Sequence, residues 1–383
     1  MSKILKSLQF VTQSASPSTP AAGTGALFAS GSGSGASIYF ENTDGTVYDL
    51  AATNGYIVTQ SYTGSTNGTD VTYQWSVAPG LKYLEICCIG GGGGGASGRV
   101  TITTPAGTST GGGGGAIVRQ LIEAARLTGS PYTITIGQGG TPGSARSAVG
   151  SAIAGLNGTA GGNTSFGTLV IAAGGAAGSN AGGLVLGGQV SNCTPSFGPW
   201  ALQGCTSGNA ATTTTNDARD SFDYDALPVL NAAANLNNFT QYGNGGGGGG
   251  CGGGRQAGGV FAGSRGSGVV LGNIGTSITL GGAGGAANSN GPGGAGGTGQ
   301  DNIGVGTLML FSSSFILTNG LGTGGGGGGC GTTAGGNGGN AGYYGCGGGG
   351  GGNIFGLGSA LVPSSSGAGG SGSSGLCVLI EYY

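Results

Sequence analysis

Residues 81–95 read LKYLEICCIGGGGGG, an apolar segment of strand-like composition that runs without punctuation into six glycines. Four further runs repeat the theme: Gly111 to Gly115, Gly245 to Gly250, Gly324 to Gly329 and Gly347 to Gly352. A glycine run is bare backbone, so any order in it comes from main-chain groups bonded to other main chains. Fixing six such residues costs about 6 to 12 kcal/mol, and glycine, with most freedom to lose, sits at the upper end. Each internal hydrogen bond returns only about 0.5 to 1.5 kcal/mol net. A lone run therefore stays unstructured, whereas several runs side by side can satisfy one another. The left-handed extended helix of three residues per turn points its N–H and C=O groups outward to such neighbours, and bare backbones approach closely enough for Cα–H···O contacts. Glycine-rich sequence more often means a flexible linker. Here LKYLEICCI and AIVRQLI bracket the runs instead of serine and charge. The expected fold is mainly β with packed polyglycine II helices, a short N-terminal β module and a trimeric fibre.

Composition narrows the functions. Of 383 residues 101 are glycine and only 6% are charged, which leaves little for a conventional core. Disordered chains are rich in charge, and this one has net charge −2. Its ten basic residues are scattered, so neither a nucleic-acid groove nor an anionic-membrane patch is expected. No apolar stretch reaches the roughly 18 to 20 residues of a membrane span. In MSKILKSLQFVTQ, Lys6, Ser7 and Gln9 interrupt any secretory apolar core. Histidine is absent and no C-x-x-C pair occurs among the eight cysteines, which disfavours zinc. Small buried thiols are the expected role; only Cys193 and Cys205 look like the two ends of one loop that a disulfide could close.

Taken in order, residues 1–60 form an attachment and trimerisation module. ALFAS and SIYFENTDGTVYDL read as strands and a hairpin turned at Asp44-Gly45. Residues 61–180 form a glycine-rich β domain, with Trp75 in a strand and Pro79-Gly80 at a turn. AIVRQLIEAARL fits an amphipathic helix or a strand. Strand is preferred, because TITIGQGG after Gly129-Ser130-Pro131 then serves as its hairpin partner. Residues 181–383 hold the remaining runs, loops and a closing C-terminal strand, GLCVLIEYY, in loose repetition without a fixed period.

The succession YQWSVAPGLKYLEICCIGGGGGG, GGGGGAIVRQLIEAARLTGSPYTITIGQGG and GGNTSFGTLVIAAGG resembles the glycine-rich domain of bacteriophage tail-fibre proteins. Trp75, Val77, Pro79 and Gly80 match its W-x-V-P-x-G strand apart from Ala78 before the proline, and Gly162, Thr164, Phe166 and Gly167 match its G-x-x-T-x-F-G strand. The hairpin around residues 124–131 is longer than in that family. The runs by themselves also resemble the polyglycine sandwich of the receptor-binding adhesins of T-even-like phages. These resemblances imply a virion fibre protein, made in the host cytoplasm and sited on the tail or capsid. Its partners would be a bacterial surface receptor, either a glycan or an outer-membrane protein, and other virion proteins through residues 1–60.

Chemistry is not expected. Common hydrolytic sites need a base or paired carboxylates held in a pocket, and nothing fixes the separation of Asp223 and Asp225, the nearest candidates. Asp217, Asp220, Asp223 and Asp225 lack the spacing of a calcium loop and read as a solvated acidic loop. G-x-G-x-x-G matches follow trivially from the runs, and no helix or acidic residue follows in the place dinucleotide binding needs. No cofactor is implied. Loops between stiff runs are the candidate binding elements, and their aromatics supply stacking area. They are Tyr343 and Tyr344, Phe261 and Arg265, Phe197 and Trp200, and Phe222 and Tyr224. Plugging a lattice end or a trimer seam is the alternative role for each. A capsid-decorating head fibre, a non-viral structural or ice-binding protein, and a depolymerase are the competing functions.

Overall fold

The strand that opens at Tyr83 sits in the middle of a five-stranded sheet, which explains the apolar run Ile86–Ile89 that ends it. The computed structural model describes residues 12–13, 26–30, 37–41, 47–49, 57–64, 68–101, 109–148, 151–181, 185–194, 201–202, 248–256, 259–260, 262–266, 269–271, 277–279, 282–299, 322–355 and 364–383. Nine strands build a two-sheet sandwich: β1 (Ile57–Thr63), β2 (Val71–Trp75), β3 (Tyr83–Ile89), β4 (Ile117–Glu123), β5 (Tyr132–Ile136), β6 (Thr164–Phe166), β7 (Val170–Ala172), β8 (Ala201–Leu202) and β9 (Leu376–Tyr382). One sheet has the order β8-β4-β3-β9-β1 and the other β7-β6-β5-β2. The C-terminal strand β9 is thus clamped between β1 and β3, antiparallel to both.

The alternation of the strands sets the core. Leu84, Ile86 and Cys88 of β3, Val118 and Ile122 of β4, and Cys377 and Leu379 of β9 meet Trp75, Ile134, Ile136, Phe166 and Val170 from the facing sheet. The opposite face of the five-stranded sheet holds a second buried cluster, Cys87, Ile89, Ile117, Leu376, Val378 and Ile380. Because both faces of β3 and β9 are covered, Ile86–Ile89 and Leu376–Ile380 read as continuous apolar runs rather than alternating ones. One carboxylate is buried in the core: Glu381 Oε1 accepts from Trp75 Nε1–H at 2.6 Å and Gln60 Nε2–H at 2.8 Å, and Oε2 from the Tyr383 hydroxyl at 2.7 Å.

AIVRQLI is a strand, as expected, and a single 3-10 turn at Ala124–Arg126 follows it. Its expected hairpin with TITI does not form. Both edges of β4 are taken, by β3 and β8, and β5 crosses to the other sheet, where it lies antiparallel to β2 and β6. In the N-terminal region Ser37–Glu41 pairs antiparallel with Ala26–Ser30 and with Val47–Asp49, the expected strands and hairpin, and Thr12–Gln13 runs parallel to Ala26–Ser30.

The glycine runs are ordered, and their hydrogen bonds recur every third residue. In the run after β3, Gly90, Gly93 and Ala96 donate to Ala116, Gly113 and Thr110; Gly91, Gly94 and Ser97 to Gly162, Thr159 and Leu156; Gly92, Gly95 and Gly98 to Ser373, Gly370 and Gly367, all at 2.8–3.0 Å. Its carbonyls accept with the same period: Gly91 and Gly94 from Gly175 and Gly178, Gly92 and Gly95 from Gly140 and Gly143, Gly93 and Ala96 from Gly348 and Gly351. The surrounding segments also bond to one another, as in Thr159 to Thr141, Gly113 to Ala176, Gly112 to Gly348 and Gly369 to Gly143, so a closed ring encloses the run.

The runs at 347–352 and 324–329 are enclosed in the same way, and each borders the next. The result is a slab three segments thick. Its middle row carries 282–288, 322–331, 345–353, 90–98 and 153–162; one outer row carries 292–299, 334–343, 364–374 and 138–146; the other carries 262–266, 248–253, 109–116 and 173–180. The sandwich closes one end of it. The β3–β4 ladder continues directly into the 90–98 and 109–116 pair, and 364–374 leads into β9.

Candidate functional site

Tyr343 and Tyr344 occupy the turn that carries the chain from the outer-row segment 334–342 into the middle-row segment 345–353. The turn ends on Gly345 at φ +71°, a conformation that disfavours side chains, and its N–H donates to Ser374 O at 2.9 Å. The two rings lie 5.5 Å apart, tilted by 48°. They differ in their surroundings. Tyr344 packs with Tyr382 on the cluster of Cys87, Ile89, Ile117, Leu376, Val378 and Ile380, sealing the junction between lattice and sheet. Tyr343 is 40% exposed.

Tyr343 continues a ridge. In GGNGGNAGY, Asn337, Asn340 and Tyr343 fall three residues apart and are all exposed, while Gly336, Gly339 and Gly342 between them are buried. Each asparagine replaces a missing lattice neighbour: Asn337 Oδ1 accepts from Ala368 N–H at 3.0 Å and Asn340 Oδ1 from Ser371 N–H at 2.9 Å. Both asparagines are exposed. Small residues flank the ridge, with exposed Pro292, Ala295 and Thr298 on one neighbouring segment and part-buried Ala368 and Ser371 on the other. Sequence reasoning missed this uncharged, hydrogen-bonding strip, although the Gly-Gly-Asn period carried its signal.

Below Tyr344 the outer face of the sheet holds a polar knot. Arg119 Nε pairs with Glu85 Oε1, and the Tyr382 hydroxyl donates to Glu85 Oε2 at 3.0 Å. Burial, then the bond to the Glu85 carboxylate, pushes the Tyr382 phenol up to about 12. Burial and nearby Cys377 push the Cys87 thiol up to about 12 as well, outweighing the opposite pull of Arg119. These shifts stabilise the neutral forms of Tyr382 and Cys87. All seven described cysteines are buried, Cys193 among them; its suggested partner Cys205 lies outside the described residues.

Of the other sequence candidates, the described one, Arg265, does not join Tyr343. Arg265 is half-buried on 262–266, in the outer row across the slab. Phe261, Phe197, Trp200, Phe222 and Tyr224 lie outside the described residues, as do Asp217, Asp220, Asp223 and Asp225. Among the described residues no three His, Cys, Asp or Glu side chains gather where a metal could be held, and no helix is long and apolar enough to cross a membrane.

No curated protein matches the chain. The stretch from before β2 through the Tyr343–Tyr344 turn, residues 66–345, does match a family model described as a glycine-rich domain. That span takes in most of the sandwich and most of the interlocked runs, and the chain belongs to this glycine-rich domain family.

Proposed function

We propose that the chain is a bacteriophage virion fibre protein, a receptor-binding adhesin in which the runs are polyglycine II helices and the turns at their ends meet a bacterial surface. The observation that carries the reading is the closed ring of period-three hydrogen bonds around the middle-row runs. It fits a rigid plate whose connecting turns are held in fixed positions, the arrangement in which loops commonly bear function. Tyr343, exposed on such a turn in line with exposed Asn337 and Asn340, suits a flat, hydroxyl-rich glycan or the rim of an outer-membrane protein. In this reading residues 1–60 attach to other virion proteins and three chains assemble, so that several weak contacts act together through effective concentration. Neither catalysis nor a cofactor has a part.

The test is to locate residues 1–60 on intact particles by gold-labelled antibody and to measure binding of the purified chain to host cells. Gold on the tail, with cell binding weakened several-fold by Tyr343→Ala, supports the adhesin. Gold on the head, without cell binding, replaces it with capsid decoration. Particles that carry none of the chain overturn both.

A further inference from the structure

Two thiols in the sandwich core face each other across neighbouring strands. Cys88 of β3 and Cys377 of β9 are directly opposed in the antiparallel register, and their Sγ atoms stand 3.7 Å apart with neither side chain exposed. Residues opposed in this way have Cα atoms about 4.5–5.5 Å apart, within the roughly 4.4–6.8 Å that a disulfide spans. The sulfurs need to approach by about 1.7 Å in total to reach bonding distance. Cys87 does not compete, because alternation turns it to the other face of the sheet, among Ile89, Val378 and Ile380.

We propose that Cys88 and Cys377 are an oxidisable pair that closes into a cross-strand disulfide and locks β9 into the sheet. With a peroxide as oxidant, one thiol is converted to a sulfenic acid, releasing one water. The second sulfur then attacks the first and displaces its hydroxyl as a second water. In sum two thiols and one hydrogen peroxide give one disulfide and two waters, the sulfurs losing the two electrons that the peroxide gains. The bond would close a loop between positions 289 residues apart, and that loop contains all five glycine runs. Glycine-rich chain has the most freedom in the unfolded state, and a cross-link that removes that freedom acts more strongly the longer the loop. In the folded chain the bond from Cys88 to Cys377, with burial, holds the Cys88 thiol well above the usual range, and this makes closure slow.

The full chain, treated with dilute hydrogen peroxide and then denatured and alkylated, is to be mapped by mass spectrometry with and without dithiothreitol. The expected product is two hydrogens lighter, carries one Cys88–Cys377 cross-link, and melts several degrees higher, a gain that dithiothreitol reverses. Cys87→Ala should retain the cross-link, and Cys377→Ala should lose it together with the thermal shift. Alkylation of both Cys88 and Cys377 after peroxide treatment overturns the proposal, as does a cross-link that disappears in Cys87→Ala. The mapping on the unsubstituted chain decides the matter even if a variant fails to fold.

Discussion

At the scale of single residues the lattice discriminates by a methyl group. A Cβ on Gly92 would meet the Cys346 carbonyl, and one on Gly349 the Gly326 carbonyl, both well inside the 3.0 Å that real Cβ atoms respect. Backbone on every side cannot yield as a flexible side chain would. Gly349→Ala should therefore cost at least about 1–3 kcal/mol, read as a lowered midpoint in denaturant. Asn337→Ala, at an exposed position, removes only one acceptor that water can replace; the expected loss is under about 1.5 kcal/mol. Trp75→Phe is different again, since it strips a donor from buried Glu381 and opens a void. The same measurement should show a loss of about 2–4 kcal/mol.

Among the elements, strands were more legible than their partners. LKYLEICCI, AIVRQLI, TITI and GLCVLIEYY announced themselves by apolar content, and all four are strands. Which sheet each joins was hidden for TITI, because the edge it was expected to use is filled by Ala201–Leu202, some eighty positions away in sequence. The runs were legible as a lattice but not as a map, since glycine has no side chain to encode which neighbour it meets. Only the edges are written: asparagine, serine and threonine recur at intervals of three where a neighbour is missing, as at Asn337 and Asn340. Of the candidate site, Tyr343 and Tyr344 could be named from sequence, but their different burial depends on the cluster beneath Tyr344.

The sheet also predicts a response to alkali. Cys87 and Tyr382 titrate in the fold near 12, above ordinary values of 9.0 and 10.0, so the neutral forms contribute stability below pH 9 that is lost as pH rises from about 9 to about 12. Denaturation midpoints should fall across that window. A midpoint that stays level from pH 9 to 12 would contradict the assignment.

On the scale of the whole molecule, cohesion comes from neutral backbone bonds. The ion pair described here is Arg119 with Glu85, at the sheet and not in the slab. Melting temperature should therefore change little between about 0.01 M and 1 M salt, although screening lengths differ roughly tenfold over that range. Amide hydrogens of Gly348 to Gly352, which donate at 2.7–3.0 Å inside the closed ring, should exchange far more slowly than in a free glycine peptide. Exchange at the free-peptide rate would mean that the slab does not hold in solution. The interval of three has one more consequence. Inserting a single glycine between Gly347 and Gly352 turns every later amide by about 120°, so each aims at the wrong neighbour along the rest of the segment. Inserting three restores the phase and only lengthens the turn beyond. Runs in chains of this kind should accordingly grow and shrink in steps of three codons, three residues together, and tolerate one or two poorly.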